Sequence, residues 1–233
     1  MKNLSIVLPY RPSEDGYRSA IFDWIYKRYE QLFPDSEIIV CDSNDEQFSR
    51  SKSRNIGVDQ STKKFILLAD ADIIPFKQFI ESGIFDINNG VSWMILYDND
   101  LYFNADKSSS KIILNSDPIS EIIPSQIIWE HKITSWAGQL LFKREDFYEI
   151  GGYDERFTGW GYEDNAFQVA ADTILGQHKR VRNAWTIHLW HPYSHDSTFG
   201  QPMIRYNRNL YNNYVRCSNS KEQMLDLIRS RNV

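Results

Sequence analysis

Residues 65–75, FILLADADIIP, combine a continuous apolar run with two aspartates that follow it directly. A strand that is apolar at every residue is typical of a parallel sheet with both faces covered. Mainly apolar runs occur twice upstream, at residues 4–8 and 37–41. Helix-forming segments separate the three runs, so the sequence predicts an α/β fold with a mainly parallel sheet flanked by helices.

Polar residues follow each of these three strands. They are Tyr10 and Arg11 after the first, the acidic segment 42–45 after the second, and Asp70 with Asp72 after the third. In open α/β sheets, ligands bind at the carboxyl ends of the strands. We therefore expect one binding site to be built from these three clusters.

The remaining elements are predicted from apolar periodicity and from proline and glycine positions. Residues 98–135 are expected to form an inserted irregular or β-ribbon region, and residues 192–218 to be irregular. Helices are predicted at 13–33, 51–60, 76–85, 144–150, 163–175 and 220–229, and further strands at 91–97, 136–142 and 184–189. No internal repeat or domain boundary is evident, which favours a single domain over residues 1–233.

Asp70 and Asp72 are spaced so that two carboxylates of an extended segment point the same way. Hard oxygen ligands with open coordination positions suit Mg²⁺ or Mn²⁺ bridging a diphosphate. The alternative is a turn at the end of the strand in which aspartate acts as a cap. The apolar strand before the motif and the sequence Ile-Ile-Pro after it favour the metal site.

The segment 151–168, GGYDERFTGWGYEDNAFQ, places Glu163 and Asp164 in the first turn of a predicted helix. Acidic residues are stabilised there by the helix dipole, which gives a structural reason for the pair. The functional alternative is a catalytic base that faces a pocket beside Trp160. The sequence of this segment alone leaves both alternatives open.

The composition is that of a soluble globular protein, with 42% hydrophobic and 24% charged residues. A net charge of −5 gives no sign of a general polyanion binder. The two cysteines, Cys41 and Cys217, exclude a disulfide framework and favour a reducing compartment. The apolar run before Pro9 is too short for a signal peptide, and no run is long enough for a membrane span. We expect a cytoplasmic protein.

Five stretches in order resemble nucleotide-sugar-dependent glycosyltransferases of the GT-A fold. They are LSIVLPYR (4–11), EIIVCDSND (37–45), SRSKSRNIGV (49–58), FILLADADIIP (65–75) and GQLLFKREDFYEIGGYDERFTGWGYEDNAF (138–167). The second half is most similar to β-1,4-galactosyltransferases, polypeptide N-acetylgalactosaminyltransferases and chondroitin-polymerase-type domains. The resemblance implies a Rossmann-like GT-A fold and covers about residues 4–192.

The resemblance also implies roles for individual residues. Donor-binding roles fall on Pro9, Tyr10, Arg11, Asp42, Arg54, Asn55, Asp70 and Gly138, with Gly57 at a packing position. Asp70 and Asp72 match the metal-binding motif, in which Asp72 is the direct ligand, and a late histidine completes the site. His188 and His191 compete for that role, and we favour His191 because it lies beyond the strand. One glycine, Gly138, stands where relatives often have two.

On the acceptor side, the resemblance implies stacking on Trp160 and proton abstraction by Asp164, with Glu163 orienting the acceptor or the base. Residues 1–97 would bind the nucleotide sugar, residues 98–192 the acceptor, and residues 193–233 would form a lid and a helix. In the lid, Arg205 and Arg208 would face the diphosphate, with Gly200 as hinge. The alternative for this region is a surface tail with solvated arginines.

The implied activity is metal-dependent, inverting transfer of a hexose or N-acetylhexosamine from a UDP-sugar to a hydroxyl, with Mn²⁺ or Mg²⁺. A nucleotidyltransferase is the nearest alternative enzyme, although residues 8–16 supply no glycine-rich first loop. A catalytically silent sugar-binding module is the alternative from another class. The donor sugar, the acceptor (a glycan, a protein or a modified nucleobase) and the oligomeric state are left open.

Overall fold

The computed structural model describes residues 1–13, 16–99, 101–133, 137–192 and 201–232. The strands of these residues are β1 (Leu4–Pro9), β2 (Glu37–Cys41), β3 (Phe65–Ala69), β4 (Trp93–Ile95), β5 (Tyr102–Ala105), β6 (Trp129–Ile133), β7 (Gln139–Lys143), β8 (Lys179–Arg180) and β9 (Thr186–His188). The helices are α1 (Tyr17–Leu32), α2 (Arg50–Gln60), α3 (Lys77–Asn88), α4 (Lys107–Leu114), α5 (Arg144–Glu149), α6 (Glu163–Leu175), α7 (Gln201–Cys217) and α8 (Lys221–Arg229). Short 3-10 turns lie at Pro124–Gln126 and Ser230–Asn232.

The larger sheet has six strands in the order β2-β1-β3-β7-β4-β8. β1 pairs in parallel with β2 and β3, so Val7 lies opposite Ile39 on one side and Leu68 on the other. β7 runs antiparallel to its two neighbours, β3 and β4, and β8 is parallel to β4. The predicted α/β fold with a mixed, mainly parallel sheet is therefore confirmed.

Helices cover both faces of this sheet, which explains why β1 and β3 are apolar at almost every position. Successive residues of a strand point to opposite faces, so the residues of β1 enter two different cores. Leu4, Ile6 and Leu8 pack with Ile25 of α1 in one core. Val7 packs with residues of α2, α5 and α6 in the other core.

The smaller sheet has the order β6-β5-β9, with β5 antiparallel to β6 and parallel to β9. The antiparallel pair is the β-ribbon expected within residues 98–135. An isolated bridge joins Ile73 to His188, and the backbone N–H of Leu189 donates to the carbonyl of Asp72 at 2.9 Å. The smaller sheet therefore brings the end of β9 against the turn that follows β3.

Two segments predicted to be irregular contain helices. α4 begins after Asp106, whose side chain accepts from the backbone N–H of Ser109 at 2.7 Å and caps the helix. α7 occupies residues 201–217, where buried Asn207, Leu210 and Tyr214 recur three and four residues apart. The polar and aromatic residues between them obscure this period in the sequence, so the prediction of irregular structure across 201–217 is wrong.

The boundaries of the other elements differ from the predictions by a few residues. α1 begins at Tyr17 after a left-handed Gly16, and residues 14 and 15 of its predicted start lie outside the described residues. The strand expected at 136–142 is β7, which begins at Gln139. Residue 136 and the segment 193–200, which contains Gly200, also lie outside the described residues. The division of the chain at residues 97 and 192 stays a prediction.

Both cysteines are free: Cys41 is buried beneath α2, and Cys217 at the end of α7 is half-buried. At Gly57 of α2, an added Cβ would lie only 2.7 Å from the sulfur of Cys41. Glycine at this position therefore lets α2 pack closely on the sheet. Of the helices that the structure describes, none is both long and apolar enough to cross a membrane.

Candidate active site

The three polar clusters predicted from the sequence lie at one edge of the larger sheet, where β1, β2 and β3 end. Arg11 forms a two-pronged pair with Asp42, through Nε at 2.8 Å and Nη2 at 2.5 Å. The hydrogen bond from Arg11 holds the pKa of the Asp42 carboxyl below its usual value. The pair joins the residues that follow β1 to those that follow β2.

Tyr10 and Gly138 contribute to the same edge of the sheet. The Tyr10 ring stacks on Phe22 of α1 with centroids 3.8 Å apart, and its hydroxyl donates to Ser19 at 2.9 Å. Gly138 has φ of +103°, and its carbonyl accepts from the backbone N–H of Asp70 at 2.9 Å. This bond ties the start of β7 to the turn that carries the two aspartates.

Asp72, His188 and His191 form a cluster with the geometry of a metal site. Nε2 of His188 lies 3.5 Å and Nε2 of His191 lies 3.2 Å from the same oxygen, Oδ2 of Asp72. One ligand atom from each residue lies within 4.8 Å of the others. Both histidines that competed for one predicted role therefore lie beside Asp72.

The charges in this cluster favour the ionised carboxylate. Burial alone would raise the pKa of Asp72, but the charges and hydrogen bonds of His188 and His191 hold that pKa well below its usual value. Burial would lower the pKa of His188, and the Asp72 carboxylate raises it instead. The cluster is thus an ionised carboxylate between two imidazoles.

The other ring nitrogen of His191 has two neighbours. Nδ1 lies 3.0 Å from the carbonyl of Pro192, which can only accept, and 3.0 Å from Nη2 of Arg18, which can only donate. If Nδ1 carries the proton, it donates to the carbonyl of Pro192, and Nε2 keeps the lone pair that can bind a cation. A proton on Nε2 instead lets Nδ1 accept from Arg18 while Nε2 donates to Asp72. The first tautomer is the one that a bound metal requires.

Asp70 is not part of this cluster, and its carboxylate pairs with Arg54. The Arg54 guanidinium bonds Oδ1 of Asp70 through Nη2 at 2.9 Å and Oδ1 of Asp164 through Nη1 at 2.7 Å. The Arg54 side chain is only 4% exposed, whereas the carboxylates of Asp70 and Asp164 are 32% and 19% exposed, so the cation is the buried partner of both pairs. A single buried cation thus joins the end of β3 to the first turn of α6, and Asp70 and Asp72 have different partners.

Asp164 has the environment expected of a proton acceptor. Burial raises its pKa to about 7, an effect that Arg54 opposes and that the neighbouring carboxylates Glu163 and Asp70 reinforce. Strongly shifted carboxyls in a cleft are candidates for acid–base catalysis. The raised pKa of Asp164 is compatible with the functional alternative for this helix start, and the catalytic role stays a prediction.

Glu163 holds the turn that precedes the helix. Its Oε2 accepts from the backbone N–H of Gly161 at 2.9 Å, and its Oε1 lies 3.5 Å from Nη1 of Arg50. The residue between them in sequence, Tyr162, has φ of +73°, a left-handed conformation that is uncommon for an aromatic residue. The Glu163 bond therefore stabilises a strained turn directly before α6.

Trp160 lies in the same turn and is 65% exposed, as a stacking surface requires. Asn207 of α7 braces the turn, because its Nδ2 donates to the carbonyls of Thr158 at 2.9 Å and Gly161 at 3.1 Å. Asn55 of α2 acts similarly on the preceding loop, since its amide bonds both the N–H and the carbonyl of Tyr153. Asn55 is thus engaged in supporting the loop.

Arg205 does not contact Asp72, His188, His191 or the carboxylates that Arg54 binds. It is exposed on α7, and no hydrogen bond or ion pair joins it to any of the described residues. Arg208 is exposed on the same helix. α7 supports the 151–164 segment, where the Tyr214 hydroxyl donates to Asp154 at 2.7 Å. Residues 201–217 therefore form a helix that packs against the 151–164 segment. That this region acts as a lid stays a prediction.

Sequence reasoning missed four residues around the site. Tyr153 donates its hydroxyl to Asp164 at 3.0 Å, Arg50 pairs with Glu163, Arg18 approaches His191, and Asn207 braces the turn of Trp160. Tyr153 and Arg50 lie within the stretches that carry the resemblance, which is a usable signal. Arg18 and Asn207 carry no such sequence signal, because their contacts join segments that are distant in the chain.

Comparison with known sequences gives one family match, which falls in the second half of the chain. The sequence model of a family described as the N-terminal domain of galactosyltransferase matches residues 128–191, which contain Asp164 and both histidines. None of the curated protein sequences matches the chain. The family match thus falls on the segment that contains Asp164 and two of the three residues of the Asp72–His188–His191 cluster.

Solved structures share the fold at low sequence identity. The catalytic domain of Drosophila β1,4-galactosyltransferase 7 in complex with xylobiose has a TM-score of 0.53 at 17% identity, over 88% of this chain and 79% of that one. S. aureus TarS in complex with UDP-GlcNAc has a TM-score of 0.56 at 12% identity, over 98% and 71%. A mutant of the Drosophila enzyme with manganese, UDP-Gal and xylobiose has a TM-score of 0.49 at 16% identity, over 88% and 79%.

The fold is thus the GT-A fold, and the resemblance to GT-A glycosyltransferases that the sequence carries is confirmed. The match to the galactosyltransferase family, over residues 128–191, lies within the second half of that resemblance. The family match and the shared fold together support a glycosyltransferase.

Proposed function

We propose that this protein is a metal-dependent, inverting glycosyltransferase that moves a hexose or N-acetylhexosamine from a UDP-sugar to an acceptor hydroxyl. The observation that supports this proposal most is that a metal-type cluster and a carboxylate with a raised pKa are connected at one edge of the sheet. The Asp72–His188–His191 cluster and the carboxylate of Asp164 are joined through Arg54 and the turn that carries Asp70 and Asp72.

The residues of the cluster fit a divalent transition-metal ion. One carboxylate oxygen and two imidazole nitrogens converge. Mg²⁺ prefers oxygen ligands throughout, whereas imidazole nitrogen binds transition-metal ions, so this set favours a transition-metal ion such as Mn²⁺ over Mg²⁺. A bound ion would neutralise the negative charge that develops on the leaving diphosphate. We assign Asp72, His188 and His191 as its ligands, and direct ligation by Asp70 stays a prediction.

On the donor side, Pro9, Tyr10, Arg11 and Asp42 border the same edge and would hold the nucleotide. The Arg11–Asp42 pair offers a fixed carboxylate and guanidinium to the base or ribose. Arg54, which holds Asp70, would fix the turn that faces the diphosphate.

Gly138 would lie along the donor sugar, because it directly precedes β7 and its carbonyl bonds the Asp70 turn. An added Cβ there would approach Ile73 to 2.7 Å, so the position also requires glycine for packing. The roles of Asn55 and Arg205 in donor binding stay predictions.

On the acceptor side, Trp160 offers an exposed ring and Asp164 a carboxylate. In the reaction, the acceptor oxygen bonds to the anomeric carbon while the bond from that carbon to the diphosphate oxygen breaks. The electron pair of the broken bond leaves with UDP, and the hydroxyl proton passes to Asp164. Proton abstraction of this kind typically contributes about 10²–10⁴-fold to the rate.

Release of UDP from a panel of UDP-sugars with Mn²⁺ tests the proposal, because slow hydrolysis needs no acceptor. Turnover of at least one donor is expected, and the preferred member of the panel identifies the donor sugar. A nucleotidyltransferase would instead release pyrophosphate from a nucleoside triphosphate. Calorimetry separates the remaining alternative, because a silent sugar-binding module would show no Mn²⁺-dependent UDP binding. A cytoplasmic location stays a prediction.

A further inference from the structure

The two oxygens of the Asp164 carboxylate have different surroundings. Arg54 Nη1 at 2.7 Å and the Tyr153 hydroxyl at 3.0 Å both donate to Oδ1. Among the described residues, none donates to Oδ2, and the side chain is 19% exposed to solvent. One oxygen is thus anchored by two donors and the other is left for a ligand.

The two donors are themselves held firmly. The Arg54 guanidinium carbon lies 4.8 Å from the centroid of the Tyr153 ring. The Tyr153 ring also stacks on the Phe167 ring, with the two centroids 4.2 Å apart. Asn55 bonds the backbone of Tyr153 at both its N–H and its carbonyl. Arg54 is fixed on its other side by Asp70. Neither donor can turn away from Oδ1 without breaking buried contacts.

We propose that Tyr153 and Arg54 are positioning residues that anchor Asp164 through Oδ1 and so present Oδ2 as the atom that accepts the acceptor proton. This inference rests on the proposed function. A freely rotating carboxylate would offer either oxygen at varying angles, whereas catalysis needs the atom that takes the proton within hydrogen-bond reach in one geometry. Because Arg54 also binds Asp70, the anchored base keeps a fixed position relative to the turn that carries Asp72.

Tyr153→Phe tests the inference with the smallest change. The variant keeps the ring between Arg54 and Phe167 and removes only the hydroxyl that bonds Oδ1. We expect kcat for UDP-sugar turnover to fall about five- to tenfold, as for the loss of one hydrogen bond. The KM for the donor and Mn²⁺-dependent UDP binding should stay within about twofold, because the donor side of the site is unchanged.

The pH profile gives a readout that a purely structural role would not move. Arg54, Tyr153, Glu163 and Asp70 are the ionisable groups that face Asp164. The Tyr153 hydroxyl stabilises the ionised carboxylate, so its removal should shift the acid limb of kcat/KM to higher pH.

Tyr148→Phe is the matched control, because it also removes one tyrosine hydroxyl from a hydrogen bond. That hydroxyl bonds Asp59 at 3.1 Å on another surface. Both kcat and the pH profile should therefore match the wild type. An equal fall of kcat in the two variants would overturn the positioning role of Tyr153.

Arg54→Lys provides a second variant, since an ammonium cannot bond both carboxylates in the same forked geometry. We expect a larger loss of kcat than in Tyr153→Phe, with Tm measured to detect loss of folding. Wild-type kcat and an unshifted acid limb in Tyr153→Phe would overturn the inference while leaving the proposed function intact. If the wild-type protein turns over no UDP-sugar, the proposed function fails, and the positioning role fails with it.

Discussion

The imidazole of His191 lies 3.2 Å from the carboxylate of Asp72, although Asp72 follows β3 and His191 follows β9. His188 approaches the same carboxylate oxygen at 3.5 Å. The smaller sheet produces this arrangement, because β9 ends beside the turn after β3. Under the proposed function, these two histidines and this carboxylate are the residues that would bind a divalent cation.

Replacing either histidine should weaken Mn²⁺ binding. We expect His188→Ala and His191→Ala each to raise the Kd for Mn²⁺ by more than about tenfold, since even residues that only orient metal ligands contribute that much. Titration followed by the electron paramagnetic resonance of free Mn²⁺ measures this without any activity assay. His178→Ala is the control, because His178 pairs with Asp172 on α6. Wild-type affinity in both variants would rule out this ligand set.

Asn207 should stabilise the turn that carries Trp160. In Asn207→Asp, a carboxylate oxygen replaces the amide nitrogen that donates to two carbonyls, so repulsion replaces two hydrogen bonds. We expect the free energy of unfolding to fall by about 1–3 kcal/mol, measured by denaturant titration. Asn209→Asp, at an exposed position of the same helix, should change it little. Equal effects in the two variants would argue against this bracing role.

Turnover should depend on the ionisation of Asp164. Because burial raises its pKa to about 7 and the base acts in its ionised form, kcat/KM for donor hydrolysis should rise with pH and level off above about pH 7. Below that value it should fall about tenfold per pH unit. Saturating Mn²⁺ keeps metal loss from protonated histidines out of the profile. A flat profile between about pH 5 and 8 would contradict the assignment.

Much of this site could be predicted from the sequence because the deciding residues follow apolar strands. Asp42 and Asp70 come directly after β2 and β3, and parallel strands bring such ends together. The paired acids Glu163 and Asp164 stand at a helix start marked by glycines. These local patterns were enough to predict that candidate site residues lie at this edge of the sheet and in the first turn of α6.

The long-range contacts could not be predicted in the same way. Arg54 binds Asp164 across 110 residues, and Asn207 binds Thr158 across 49. Such pairs depend on how α2, α6 and α7 pack, which the apolar period of a single helix does not specify. α7 itself was missed because polar and aromatic residues fill the positions between its buried ones.

UDP release from UDP-sugars with Mn²⁺, compared between the wild type and Asp164→Asn, tests the central claim most directly. The substitution keeps the size of the side chain and removes the proton-accepting carboxylate. We predict turnover of at least one donor by the wild type, a loss of at least about 10²-fold in the variant, and Mn²⁺-dependent UDP binding retained in both. Turnover by Asp164→Asn at the wild-type rate would contradict the account.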